Sequence, residues 1–287
     1  MAKRAQFGLE NQDLPILGLW DRVFFTDEAH FNPWEDFQPQ RQLRRKGAPR
    51  DKRVVNKRPR KPPQQQRQKM ILHMYAAVNW YTKSKLYFYN DEAEMPSPPK
   101  RPAKPRKRMY ETPESLEQRI REWEATLPPK VNIDVQGNHM TQKYYTEHVL
   151  PQYIKLIKDA ERDWPGKQWI LQEDNDPSHG TRSQNNVARD FKRAHNIRTY
   201  VHPAQSPDLN PCEACWKYLK QKAKRRLHRP QDSEEPWDGS KGHLKKLLQE
   251  IWAEIPQSTI RSFIQDMPAR CNELANNGGQ RIRTKRW

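Results

Sequence analysis

Apolar and polar residues alternate along the chain in patterns typical of short strands. The segment 20–27 is rich in β-branched and aromatic residues and predicts a strand that ends on a carboxylate. The near-continuous apolar run at 70–81 predicts a central strand buried on both faces, and 84–89 predicts its hairpin partner. Two further short strands are predicted at 169–172 and 197–201.

Between and after these strands, apolar residues recur at helical spacing. A helix start at Thr112-Pro113 opens a predicted surface helix, and the next helix has a continuous apolar stripe. Helices are predicted over 112–126, 141–158, 181–195, 211–224, 244–255 and 259–274. This order of elements predicts an α/β fold, a mixed sheet flanked by helices.

Charge adds two basic segments to this picture. The 287 residues carry a net charge of +18, and residues 41–69 hold thirteen Lys or Arg with one acid. Residues 100–108 hold six basic groups and no acid, which leaves the rest of the chain balanced. We expect 41–69 to form a basic arm and 91–130 a Pro/Lys/Arg-rich insertion. Both segments indicate phosphate binding, although solvated linkers would also carry such charge.

Cysteine content and hydropathy restrict the compartment. Cys212, Cys215 and Cys271 are too few for a disulfide framework and favour a reducing environment. A zinc site needs four ligands, and the sequence offers no second pair beside Cys212 and Cys215. These two cysteines are therefore predicted to be small, buried helix residues. No apolar run approaches the about 18 residues that span a bilayer. We therefore expect a soluble intracellular protein.

Three carboxylates fall where the predicted sheet would bring them together. Asp27 ends the first strand, Asp174 follows a later strand, and Glu213 lies in the first turn of the next helix. Carboxylates at the ends of adjacent parallel strands and on a flanking helix can hold two Mg²⁺ about 3.5–4 Å apart. The pattern indicates metal-dependent phosphodiester chemistry.

Two of these carboxylates have neighbours that could replace them. Glu28 could be the ligand instead of Asp27. Asp174 competes with Glu173, which strand alternation places on the opposite face, and with Asp176, which could instead begin a turn.

Two other residues near the predicted site have structural alternatives. The segment 210–213 matches a capping box, in which Glu213 would bond to the backbone of Asn210. His179 could contact a phosphate or a metal-bound water, or it could stabilise a turn.

Three blocks resemble the signature blocks of mariner-like DDE transposases. FTDEAHF at 25–31, QEDNDPSH at 172–179 and SPDLNPCE at 206–213 occur in the family's order. The similarity covers nearly the whole chain apart from 91–130, and it departs from the family at Cys212, where Ile is common. The resemblance implies an RNase H-like fold in which Asp27, Asp174 and Glu213 bind the metals and carry out catalysis. It also implies Mg²⁺ as the cofactor, with Mn²⁺ as a substitute.

The resemblance further implies a function and its setting. We expect a transposase-type DNA endonuclease and strand transferase that cuts and joins DNA in the nucleus, acting as a homodimer on paired ends. A catalytically idle, transposase-derived DNA-binding protein is the alternative, and a structure-selective nuclease is another. Family members usually begin with a helix-turn-helix region, and we expect this chain, which starts about where that region ends, not to select its element's ends alone.

The chain is expected to divide into a lead-in at 1–19, a catalytic domain at 20–228 and a helical extension at 229–287. The segment 100–108 could also serve as a nuclear-import signal. Six residues of the basic arm are predicted to bind DNA: Arg44, Arg45, Lys46, Arg53, Lys57 and Arg58.

Overall fold

The computed structural model describes seven stretches of the chain. They are residues 1–34, 70–89, 102–127, 135–136, 139–180, 186–228 and 236–282. The basic arm at 41–69, with the six residues predicted to bind DNA, lies outside the described residues. So do 181–185, the start of one predicted helix.

A mixed five-stranded sheet forms the centre of the fold. The strands of the chain are β1 (Val23–Phe31), β2 (Leu72–Val78), β3 (Tyr87–Tyr89), β4 (Val135–Gln136), β5 (His139–Met140), β6 (Ile170–Gln172) and β7 (Arg198–Tyr200). The spatial order of the main sheet is β3-β2-β1-β6-β7, while β4 and β5 pair separately. β1, β2 and β3 are antiparallel neighbours, whereas β1, β6 and β7 run parallel.

Helices cover both faces of this sheet. They are α1 (Ala2–Asn11), α2 (Pro113–Ala125), α3 (Leu150–Asp163), α4 (Val187–Ala194), α5 (Pro211–His228), α6 (Lys241–Glu254), α7 (Gln257–Gln265) and α8 (Met267–Asn276). A helical turn at Gln142–Tyr144 and a π-helical turn at Tyr145–Val149 lead into α3. None of the helices in the described stretches combines the length and apolar character needed to cross a membrane.

Alternating residues of β1 and β2 enter two separate cores. Phe25, Met74 and Val78 pack in the core that includes residues of α5 to α8. Phe24 and Tyr75 lie in the second core, with residues of α3 and α4. The prediction that the 70–81 run is buried on both faces is confirmed, as is the mixed sheet flanked by helices.

The first strand differs from its prediction at both ends. Residues Trp20–Arg22 form a 3₁₀ turn, and β1 continues past Asp27 to Phe31. Its parallel pairing with β6 stops at the Phe25–Gln172 pair, but its antiparallel pairing with β2 continues. The prediction that the strand ends at Asp27 was therefore wrong, because the partner strand on its other side extends it.

The prediction of a single helix over 259–274 was also wrong. The structure has two helices there, α7 and α8, which meet at Asp266. Pro268 lies in the first turn of α8, where its missing N–H leaves no hydrogen bond unmade, whereas inside one long helix it would break the ladder.

The N-terminal helix packs against the last helix. At Gly8, an added Cβ would lie 2.6 Å from the carbonyl oxygen of Cys271 and 2.7 Å from the backbone nitrogen of Ala275. Arg4 donates to both carboxylate oxygens of Asp208, at 2.9 and 2.6 Å. Residues from 1–19, 20–228 and 229–287 thus share the core that includes α5 to α8. The division into lead-in, catalytic domain and helical extension stays a prediction.

We expect Gly8→Ala to lower the free energy of unfolding by about 1–3 kcal/mol, because the new methyl group overpacks the α1–α8 contact. Gly242→Ala in α6 is the control, since its Cβ would meet only one atom, at 3.9 Å. That control should be neutral or slightly stabilising. Chemical denaturation of both variants measures the difference, and a Gly8→Ala protein as stable as the control would contradict the contact.

Candidate metal centre

Strand register brings Asp27 and Asp174 to the same level of the sheet. β1 and β6 pair in parallel, with Phe25 opposite Gln172. Two residues further on, this register sets Asp27 beside Asp174. The hydroxyl of Thr26 donates to the carbonyl of Gln172 at 2.7 Å, which holds the two chains together beyond the last ladder pair.

Helix α5 is attached to β1 just before Asp27. The Asn210 side-chain amide donates to the carbonyl of Thr26 at 3.0 Å, and the Cys212 thiol donates to the carbonyl of Phe25 at 3.1 Å. These two bonds set the start of α5 over the strand. As a result, Asp27, Asp174 and Glu213 line one cleft of about 260 Å³, which we call the carboxylate cleft.

Negative charge in the carboxylate cleft is poorly compensated. Burial raises the pKa of Asp27 well above its usual value, and the neighbouring charges of Glu213, Glu28 and Asp174 raise it further. Trp216 Nε1 donates to Asp27 Oδ2 at 3.0 Å and opposes this only in part. Glu213 is exposed to the cleft, yet partial exclusion of water by the surrounding protein raises its pKa as well.

The donor set of the cleft suits a hard divalent cation. Carboxylate oxygens are the ligands that Mg²⁺ takes in proteins, together with water and substrate oxygens. A cation would also relieve the repulsion that raises the pKa of Asp27. In the part of the chain that the structure describes, no group of three His, Cys, Asp or Glu side chains is close enough to hold a metal ion.

His179 connects two of the acids. Its Nδ1 lies 2.8 Å from Asp174 Oδ1, and its Nε2 lies 3.5 Å from Glu28 Oε1. Burial would lower the pKa of His179, but the carboxylates of Glu28 and Asp174 outweigh burial and raise it well above 6.5. The same hydrogen bond holds the pKa of Asp174 low, although burial alone would raise it. The histidine ends the 3₁₀ turn Pro177–His179 and contacts the acids directly.

The neighbours of Asp174 have other contacts. Glu173 is buried, where it accepts hydrogen bonds from the Tyr145 hydroxyl and the Lys192 ammonium. Asp176 Oδ1 accepts from the backbone N–H and the hydroxyl of Ser178, at 2.8 and 2.6 Å, and so begins the turn. Asp176 also lines the carboxylate cleft, but its described contacts hold the turn.

The capping box at 210–213 forms only in part. Asn210 caps α5, because its side-chain oxygen accepts from the N–H of Cys212 at 3.1 Å. The backbone N–H of Asn210, which a reciprocal Glu213 would have to bind, donates to the carbonyl of Pro207 at 3.1 Å. The helix start therefore orients Glu213 while its carboxylate lines the cleft.

Sequence reasoning missed the buried pair behind the cleft. Lys192 and Glu173 are both buried and lie 19 residues apart in sequence, and the Tyr145 hydroxyl donates to the other oxygen of Glu173. Tyr145 also packs against the His179 ring in a tilted arrangement, with 4.4 Å between ring centroids. The available signal was the position of Lys192 four residues after the buried Ala188, on the inner face of α4.

Comparisons with known proteins agree with this fold. Residues 131–235 match the family model described as DDE superfamily endonuclease. The Tc1 transposase of Caenorhabditis elegans is 32% identical over 134 residues, which are 45% of this chain and 43% of that protein. The chain thus spans less than half the length of the curated relatives it matches.

Two solved structures give the fold comparison. The Mos1 transposase catalytic domain with Raltegravir and Mg aligns with a TM-score of 0.54 and 14% identity, over 98% of this chain and 96% of that one. The Mos1 mariner paired end complex with Mn aligns with a TM-score of 0.57 and 17% identity, over 98% and 63%. The predicted resemblance to mariner-like DDE transposases and the predicted RNase H-like fold are confirmed.

We expect Lys192→Met to lower the free energy of unfolding by about 3–5 kcal/mol, because it leaves the buried Glu173 charge unpaired. The double variant Lys192→Met/Glu173→Gln should recover most of that loss. A double-mutant cycle measured by chemical denaturation gives the coupling between the two positions. Additive effects would contradict a coupled buried pair.

The raised pKa of Asp27 predicts that the effect of Asp27→Asn on stability depends on pH. The folded state holds this proton more tightly than the unfolded state, so the contribution of Asp27 to the free energy of unfolding falls as pH rises above about 3.9. Asp27→Asn removes that loss and should raise the melting temperature in metal-free buffer at pH 7.5. The gain should shrink as pH is lowered to 4.5. A gain that is absent, or that is equal at both pH values, would contradict the electrostatic description.

Proposed function

We propose that this chain, which resembles mariner-like DDE transposase catalytic domains in sequence and fold, cuts and joins DNA phosphodiesters at the carboxylate cleft. The observation that carries this proposal is the meeting of Asp27, Asp174 and Glu213 in one cleft. They come from β1, from the segment that follows β6 and from α5, and each lies in one of the three signature blocks. The match to a DDE endonuclease family model supports the reaction class.

Mg²⁺ is the cofactor that we propose, with Mn²⁺ as a substitute. The carboxylates of Asp27, Asp174 and Glu213 would hold two ions, and the Mos1 structures with Mg and with Mn support this choice. Bound metal would activate the attacking oxygen and neutralise charge on the leaving oxygen. The oxygen-only donor set and the partly relieved negative charge of the cleft fit such ions.

The protein's own groups would position these carboxylates. Trp216 fixes one oxygen of Asp27 by its hydrogen bond. His179 Nδ1 and the backbone N–H of Asp176 both contact Oδ1 of Asp174, at 2.8 and 2.9 Å, which holds that oxygen in place. The N-cap bond from Asn210 sets the first turn of α5 and with it Glu213.

The substrate that we propose is DNA held by paired copies of the protein in the nucleus. Water would attack the phosphodiester first, and the freed 3′-hydroxyl would then attack target DNA. The Mos1 paired end complex supports DNA as the partner. We further propose that Arg44, Arg45, Lys46, Arg53, Lys57 and Arg58 bind its backbone.

A plasmid-nicking assay tests the reaction. Supercoiled DNA should be nicked with Mg²⁺ or Mn²⁺ and left intact with a chelator. Asp174→Asn should reduce nicking to background, because it keeps the shape of the side chain and removes the charge that holds metal. Asp159→Asn, an exposed change in α3, is the control that should keep wild-type activity.

The same assay separates Asp27 from its neighbour Glu28. Asp27→Asn should abolish nicking, because Asp27 lines the carboxylate cleft and is proposed to bind metal. Glu28→Gln should retain more activity, because Glu28 contacts His179 and does not line that cleft. The reverse order would assign the metal to Glu28. Metal-dependent nicking that survives Asp174→Asn would place the activity elsewhere, and DNA binding without any nicking would favour the catalytically idle alternative.

A further inference from the structure

One face of α5 carries a row of lysines that starts at Glu213. Lys217, Lys220 and Lys224 follow Glu213 by four, seven and eleven residues, the spacing that keeps side chains on one helix face. At a rise of about 1.5 Å per residue they lie roughly 6, 10 and 16 Å along the axis from Glu213. We call these three residues the lysine row.

Other faces of α5 carry the buried and the paired residues. Cys212, Cys215, Trp216, Leu219 and Ala223 are buried against the sheet and the C-terminal helices. The lysine row therefore lies on the outer face, where Lys217 is exposed and the other two are partly exposed. The burial pattern alone therefore shows that the lysine row faces outward.

Two other basic residues of α5 pair with acids of α6. Lys222 forms an ion pair with Glu254 of α6, and Arg226 pairs with Glu250 and Glu254, at 3.2 and 3.4 Å. Those two residues hold α5 against α6.

The lysine row lies close enough to the carboxylate cleft for its charge to act on Glu213. The positive charge of Lys220 lowers the pKa of Glu213 and opposes the effect of burial there. A polyanion lying along the row would thus lead directly to the carboxylates. In one strand of B-DNA, phosphates recur about every 3.4 Å along the axis, so a row about 10 Å long spans roughly three of them.

We propose that the lysine row binds the phosphodiester backbone of the DNA that enters the carboxylate cleft. This rests on the proposed function, because it takes the cleft to be the place where DNA is cut. Lysine contacts to phosphates are independent of sequence, so the row would fix the position of the strand and not select its bases.

Salt dependence of DNA binding gives the first test. Duplex binding is measured in metal-free buffer, where no cleavage occurs, for the wild type, Lys217→Gln/Lys220→Gln and the control Lys222→Gln/Arg226→Gln. Both variants lose two positive charges from the same helix. The first should lower the slope of log affinity against log salt by about 1.8, since each phosphate contact contributes about 0.9. The control should keep the wild-type slope.

Cross-linking gives the second test and locates the DNA. All three native cysteines are buried, so a cysteine introduced on the surface reacts selectively. Lys217→Cys should form a disulfide with a duplex that carries a thiol tether on its backbone. Lys222→Cys, on the paired side of α5, should not. Thermal melting of each variant confirms that the fold is intact.

The outcomes separate this inference from the proposed function. Wild-type nicking together with equal salt slopes for the two double variants, or cross-linking from position 222 in preference to 217, would overturn the lysine row. Selective cross-linking at 217 with no nicking under any metal would support the row and contradict the proposed catalysis.

Discussion

The parallel pairing of β1 with β6 is the constraint on which the carboxylate cleft depends. Its register sets Asp27 level with Asp174, and a shift of one residue would turn one of the two carboxylates to the opposite face of the sheet. Thr26 reinforces the register, because its side chain bonds to Gln172 and its carbonyl accepts from Asn210 of α5. The same short stretch of β1 therefore places all three acids.

The cleft concentrates negative charge that the folded protein relieves only in part. His179 bridges two acids, and Trp216 satisfies one oxygen of Asp27, but the pKa of Asp27 stays raised. Behind the cleft, Glu173 has its own buried lysine. Repulsion between these carboxylates lowers the stability of the folded protein. A bound cation would relieve the repulsion and raise the stability, as expected of a metal centre.

Much of this arrangement could be predicted from the chain. The apolar runs and their order identified the main sheet and its helices, and the three blocks named the acids. The full length of β1 could not be predicted, because pairing with β2 extends it. The buried Lys192 was missed since lysine is rarely buried without a partner, and that partner lies on another element. The bond between Arg4 and Asp208 joins residues too distant in sequence for any local pattern to reveal.

Direct binding of Mn²⁺, followed by electron paramagnetic resonance of the free ion, tests the central claim that Asp27, Asp174 and Glu213 form one metal centre. The wild type should take up Mn²⁺, and Asp27→Asn, Asp174→Asn and Glu213→Gln should each weaken uptake by more than about tenfold, a loss that even outer-shell changes can produce. Asp159→Asn should bind as the wild type does. Equal uptake by the wild type and all three cleft variants would contradict the account.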